Sequence, residues 1–227
     1  MQTSKKKGVA AGETQAFLKF INESTPADIS LKNLQDAPKV SYQIDHVYGY
    51  AGDRNKSCLY FGETNNEILF IAASIGVIQD LSTRKQRFFG GLEKNKFQKK
   101  YEANWPVHQD DISCVHVCQA PGKKNLVATG EVGKKSTIHI WDSRTMKMVT
   151  SFSLGDSAKG VTALSLSPCQ RYVACVDNSN DHMMNIFNVS KKKMIVQVSA
   201  GSDPVCDICW SKKPNDLRFS AITTRSL

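Results

Sequence analysis

The sequence has no run of apolar residues long enough to cross a bilayer. The longest, "ILFIAASIGVI" at residues 68–78, falls well short of the roughly 20 residues that a spanning helix needs. The opening "MQTSKKKGVAAGETQAF" carries lysines but no continuous apolar segment, which is not the pattern of a secretory leader. Both absences point to an intracellular chain without membrane contact. A closed disulfide framework is missing too. The cysteines number seven, an odd count, and in such a compartment they are expected to stay reduced. There is no second C-x-x-C to pair with "CDIC". On a strand, the spacing of Cys206 and Cys209 would send the two sulfurs to opposite faces. "CVHVC" puts Cys114, His116 and Cys118 on one face, which a buried core uses as readily as a metal does. The thiols are read as small core hydrophobes, and no metal or cofactor is expected.

Catalytic chemistry is equally scarce. "GEVGKKST" at residues 130–137 fails as a phosphate loop. Ala128 occupies the first glycine position, Lys135 the final hydroxyl position, and the segment joins two strands. The five histidines form no acid–base constellation, and no G-x-S-x-G elbow is present. The reading is a non-enzyme. What the chain has in excess is positive charge: 30 Lys and Arg against 21 Asp and Glu, a net charge of +9. The lysines come in clusters that fall between predicted strands. They serve either as solvated loop tips or as a surface for a polyanion.

An internal repeat organises the rest. "LVATG", "YVACV" and "RFSAI" place Val127, Val173 and Phe219 at successive intervals of 46 residues. "TIHIWD" and "MNIFN" close on Asp142 and Asn188, again 46 apart. Within each unit, short alternating strands are separated by Gly, Pro, Asn, Asp and Lys, as hairpin turns require. A period near this length with an aromatic–acidic pair closing the third strand is the pattern of a WD-repeat propeller blade. The predicted fold is therefore all-β, with four-stranded antiparallel sheets over residues 111–152 and 161–198. Trp141 and Phe187 are expected between neighbouring blades. His139 is expected on the opposite face of Trp141's strand, and His108 and Asp111 are read as a blade's hydrogen-bonded His–Asp pair.

Upstream, "VIQD" ends at Asp80, 62 residues before Asp142, a surplus of 16 over one period. It is assigned to an insertion at residues 92–107. There Lys94, Lys96, Lys99 and Lys100 interleave with Phe97, Tyr101 and Trp105, either as a candidate partner contact or as a loop whose aromatics fold back onto the blade edge. Lys94, Lys96, Lys99, Lys100, Tyr101 and Trp105 are the candidate binding residues. The organisation expected is a basic, mostly flexible segment at residues 1–37, a first blade with its leading motif at 38–91, the insertion, and WD-repeat blades at 108–227 with the last incomplete. About three and a half blades make an incomplete propeller.

"DHVYGY" followed by "RN", then "AASIGVI" and "QRFFGG", resembles the hydrophobic motif that opens the echinoderm microtubule-associated-protein-like family. "LVATGEVGK" with "IHIWDS", and "VCDICWSKKPNDLRF", resemble blades of the same family. The resemblance implies that the "HVYGY" stretch packs into the first blade, with Tyr48 and Tyr50 buried and Gly49 allowing close backbone approach. It also implies a tubulin-binding propeller module of the cytoplasm and cytoskeleton, in a cilium or spindle. Expected partners are microtubules and other proteins that complete the propeller. A generic WD-repeat scaffold is the first alternative and an RNA-associated propeller the second; nucleic acid is not the favoured partner.

Overall fold

A computed structural model describes residues 44–50, 52, 57–90, 108–119, 122–213 and 216–224, all within one compact unit, Gln43–Leu227. Among these residues there is no helix, and none long and apolar enough to cross a membrane. The chain runs as a series of up-and-down sheets. β1 (Leu59–Phe61), β2 (Glu67–Ala72), β3 (Ile75–Asp80) and β4 (Gln86–Phe89) form the first. β5 (Ile112–Val117), β6 (Leu126–Glu131), β7 (Thr137–Asp142) and β8 (Lys147–Ser153) form the second. β9 (Val161–Leu166), β10 (Tyr172–Asp177), β11 (Met183–Asn188) and β12 (Lys193–Ser199) form the third. β13 (Val205–Trp210) and β14 (Phe219–Thr223) pair as a fourth, two-stranded sheet. This is an open arc of WD-repeat blades, and the two complete blades predicted from the repeat lie where the period placed them.

The recurring Asp of the repeat has a local job. In the turn after β3, Asp80 Oδ1 accepts from the backbone N–H of Ser82 and Thr83. In the turn after β7, Asp142 Oδ1 accepts from Arg144 and Thr145. Asn188 Oδ1 accepts from Lys191 in the turn after β11. Each turn then needs a left-handed residue four positions after the cap: Arg84 (φ 58), Met146 (φ 55) and Lys192 (φ 52). A short side-chain acceptor at the start of a tight turn satisfies donors that the ladder leaves free.

The core sits in the seams between blades. One seam joins Leu69, Ile71, Ile78 and Phe89 of the first blade to Ile112, Val115, Val127 and Trp141 of the second. The next joins Ile138, Ile140 and Phe152 to Leu164, Val173 and Phe187. A third holds Ala174, Val176 and Met184 against Val205, Ile208 and Trp210. In the first two seams an aromatic of the outermost strand stacks on one from the third strand of the next blade. Phe89 lies 4.4 Å from Trp141 at 7°, and Phe152 lies 4.5 Å from Phe187 at 24°. A blade therefore completes its core only when its neighbour is present.

Candidate partner-binding site

Trp141 is fully buried, and Asp142 caps its turn, as above. His139 is two residues from Trp141, so alternation puts the pair on one face rather than on opposite faces. His139 is buried as well, its ring 6.3 Å from Phe89. Around Trp141 runs a chain of polar contacts. Its indole N–H donates to Thr129 Oγ1 at 3.2 Å. Thr129 Oγ1 meets His108 Nε2 at 2.8 Å, and His108 Nδ1 meets Glu131 Oε2 at 3.0 Å. The carboxylate partner of His108 is thus Glu131, at the end of β6, and not Asp111. Asp111 instead offers its backbone carbonyl to Val132 N–H at 3.0 Å. For Glu131, burial pulls the carboxyl pKa upward. Hydrogen bonds from His108 and Thr137 outweigh that pull and hold it below the ordinary glutamate range. His108, Glu131 and His139 lie close enough to suggest a metal cradle. His108, however, has both ring nitrogens in contact with protein partners, so the arrangement is a blade-fastening network.

The opening stretch departs from its expected role in detail. Residues 44–50 form no strand, and Tyr48 and Tyr50 are 89% and 58% exposed instead of buried. Without a strand, the alternation that would have buried both rings does not operate. A Cβ at Gly49 would meet nothing within 4 Å, so its φ of +85° and not close packing is what calls for glycine. The stretch is fastened through Val47. Its N–H donates to Gln86 Oε1 at 2.7 Å, and its carbonyl accepts from Gln86 Nε2 at 3.1 Å. Gln86 Nε2 also donates to Gln79 Oε1 at 2.8 Å. One glutamine of β4 thus holds the segment to the first blade much as a neighbouring backbone would.

The innermost strands frame a cleft of roughly 500 Å³, lined by Tyr60, His116, Cys118, Gln119, Pro168, Trp210 and Lys212 among others. Tyr60 and His116 meet edge to face at 5.8 Å. Burial pushes the Tyr60 hydroxyl up to about 12 and the His116 imidazole down to about 4. His116 Nδ1 accepts from Leu166 N–H at 3.1 Å, a use for its neutral form. The "CDIC" pair also behaves differently from its expectation. A bulge between Val205 and Asp207 resets the alternation, and Cys206 and Cys209 are both exposed. No sequence signal pointed to the cleft, because its lining comes from four sheets distant in the chain. The insertion residues Lys94, Lys96, Lys99, Lys100, Tyr101 and Trp105 lie outside the described residues, as does the segment at residues 1–37.

Comparison with known proteins adds the context. The chain is 31% identical over 183 residues to the ciliary WD repeat-containing protein ctxp80 of Euplotoides octocarinatus, covering 80% of this chain and 25% of that protein. It is 28% identical over 186 residues to the 77 kDa echinoderm microtubule-associated protein of Strongylocentrotus purpuratus, covering 78% of this chain and 24% of the relative. Over about four fifths of its length the chain is similar to echinoderm microtubule-associated-protein-like WD-repeat proteins. Human echinoderm microtubule-associated protein-like 2 agrees, at 27% identity over 87% of this chain and 30% of its own length. The chain thus spans about a quarter to a third of the length of these relatives. No family model matches it. Among solved structures, the structure of U3-55K and the crystal structure of RRP9 WD40 repeats each superpose with a TM-score of 0.50. They are 15% and 16% identical, and each match covers 67% of this chain and 41% of the other. They share the fold.

Proposed function

We propose that this chain is a non-catalytic binding module that associates with microtubules, within the cytoskeleton or a cilium. The observation that carries the reading is its similarity, over about four fifths of its length, to proteins named for microtubule association and for a cilium. The surplus of cations is the physical complement to that reading. A microtubule surface is polyanionic, and opposite charge speeds encounter and fixes orientation more than it adds raw affinity. The insertion lysines Lys94, Lys96, Lys99 and Lys100, with Tyr101 and Trp105, are one proposed contact. Other proteins completing the propeller are further proposed partners.

Co-sedimentation tests the reading. The folded chain should pellet with microtubules at low salt, and the bound fraction should fall as ionic strength rises, because loop charges are screened. A chain shown to be folded that stays in the supernatant at low salt would rule out direct association. A protein scaffold with another partner would then take its place.

A further inference from the structure

We propose that one end of the blade arc is a docking surface for an acidic protein segment, and that an aromatic or other bulky apolar residue of that segment seats in the central cleft. The inference rests on the microtubule reading only in expecting an acidic partner. Because each blade is an antiparallel meander, the loops after first strands and the turns after third strands share an end. Contacts across blades confirm the alignment. Arg144, in the turn after β7, pairs with Glu63 in the loop after β1. Gln170, after β9, donates to the Lys123 carbonyl at 2.7 Å. The backbone connections between β6 and β7 and those linking successive blades lie at the other end, where Gly133 N–H donates to the Lys159 carbonyl.

Among the described residues, charge divides unevenly between the two ends. The turns after third strands carry Arg84, Lys85, Lys191 and Lys192. The loops after first strands carry Lys123, Lys124, Arg171, Lys212 and Lys213. The carboxylates at this end are already engaged. Glu63 pairs with Arg144, Glu67 with Arg87 and Asp216 with Arg218. Asp80 and Asp142 accept the N–H groups of their own turns. Among the described residues, none of the lysines named here is in an ion pair. The described residues of the opposite end set Lys134, Lys135 and Lys159 among Asp110, Asp156, Asp181 and Asp203, a mixture of signs.

The cleft ties this charge to a pocket. Cys118, Gln119, Pro168 and Lys212, at the basic end, line it together with the rings of Tyr60, His116 and Trp210. An apolar hollow with Lys212 in its wall and further lysines in the loops at the same end suits an acidic strand with one large apolar side chain. The charges steer the segment, and the buried side chain supplies most of the hold. Nucleic acid would satisfy the charge but leaves the apolar depth of the cleft unexplained.

Two fluorescein-labelled polyglutamate peptides test this, one ending in phenylalanine and one in glutamate, with binding to the 227-residue chain read by polarisation. The phenylalanine peptide should bind on the order of tenfold tighter, the effect of burying one such side chain. The variant K123E/K124E/K212E/K213E should weaken it by about tenfold or more at low salt. The variant K134E/K135E/K159E, at the other end, should stay within about twofold. Thermal melts check that both variants fold. Equal losses in the two variants, or equal affinity for the two peptides, overturn the docking surface. If wild type pellets with microtubules but the two peptides bind alike, the surface falls and microtubule association stands. If wild type fails to pellet yet shows these peptide preferences, the surface stands and microtubule association falls.

Discussion

At the scale of single residues, Trp141 carries the most weight. Its ring stacks on Phe89, covers Gly76 and hands its N–H to Thr129. Trp141→Ala should cost about 3–5 kcal/mol in chemical denaturation, the range for truncating a buried aromatic. A Cβ at Gly76 would sit 2.9 Å from the indole. Gly76→Ala should therefore cost about 1–3 kcal/mol by overpacking, and the two substitutions together should cost less than their sum. Full additivity in a double-mutant cycle would mean that Gly76 and Trp141 do not share this contact. Trp141 was legible in the sequence because the repeat flagged it. Glu131 was not, because a carboxylate at a strand end looks like ordinary surface charge until folding brings His108, 23 residues away, against it.

At the scale of the blade, the repeat shows two solutions to one problem. Adding 46 to His108, Thr129, Glu131 and Trp141 gives Leu154, Cys175, Asp177 and Phe187. The third blade thus has apolar residues where the second has a polar chain, and Leu154, Cys175 and Phe187 share one core cluster. Asp177, one methylene shorter than Glu131, keeps only the hairpin half of the role, accepting from Ser179 and Met183 N–H at 3.0 Å each. Replacing His108, Thr129 and Trp141 together orphans fewer buried groups than replacing one of them, since Glu131 still accepts from Gln109 and Thr137. Thr129→Val alone should cost about 1–3 kcal/mol, and the set H108L/T129C/W141F should cost less than the sum of its single changes. Additive losses across that set in urea titrations would break the idea of a coupled chain.

The first strand of the second blade contributes a pH dependence. Folding holds the His116 imidazole near 4, below its unfolded value of about 6.5. The unfolded chain therefore takes up the proton first. The contribution is whole above about pH 6.5 and is lost as pH falls toward 4. His116→Gln, which can still accept from Leu166 N–H, should flatten the denaturation midpoint across that window. If the variant and wild type lose stability in parallel from pH 7 to pH 5, His116 is not the group responsible.

At the scale of the whole molecule, the arc and its seams were legible because a repeat constrains every copy at once. The period placed the two complete sheets and the turn caps. The opening stretch misled, since a Y-G-Y alternation reads as a strand although its anchor is the backbone of Val47. The seams also explain what β12 exposes. Phe89 and Phe152 each cover the aromatic of the next blade's third strand, and the register equivalent of Phe152 is Val198, paired to Met184 as Phe152 is to Ile138. Among the described residues the fourth sheet consists of β13 and β14, with no third strand to receive it. Val198 is 49% exposed, and Met194, Ile195 and Val196 are exposed beside it. Apolar side chains left exposed along an outer strand favour association. The 227-residue chain on its own should therefore self-associate in a concentration-dependent way by light scattering. Lys substitutions at Ile195 and Val198 should reduce that association without lowering the melting temperature, because neither side chain is buried in the isolated arc. A monodisperse wild-type monomer would show that another part of the chain covers the β12 face. Lysine variants that fail to fold would show that Ile195 and Val198 already belong to a closed core.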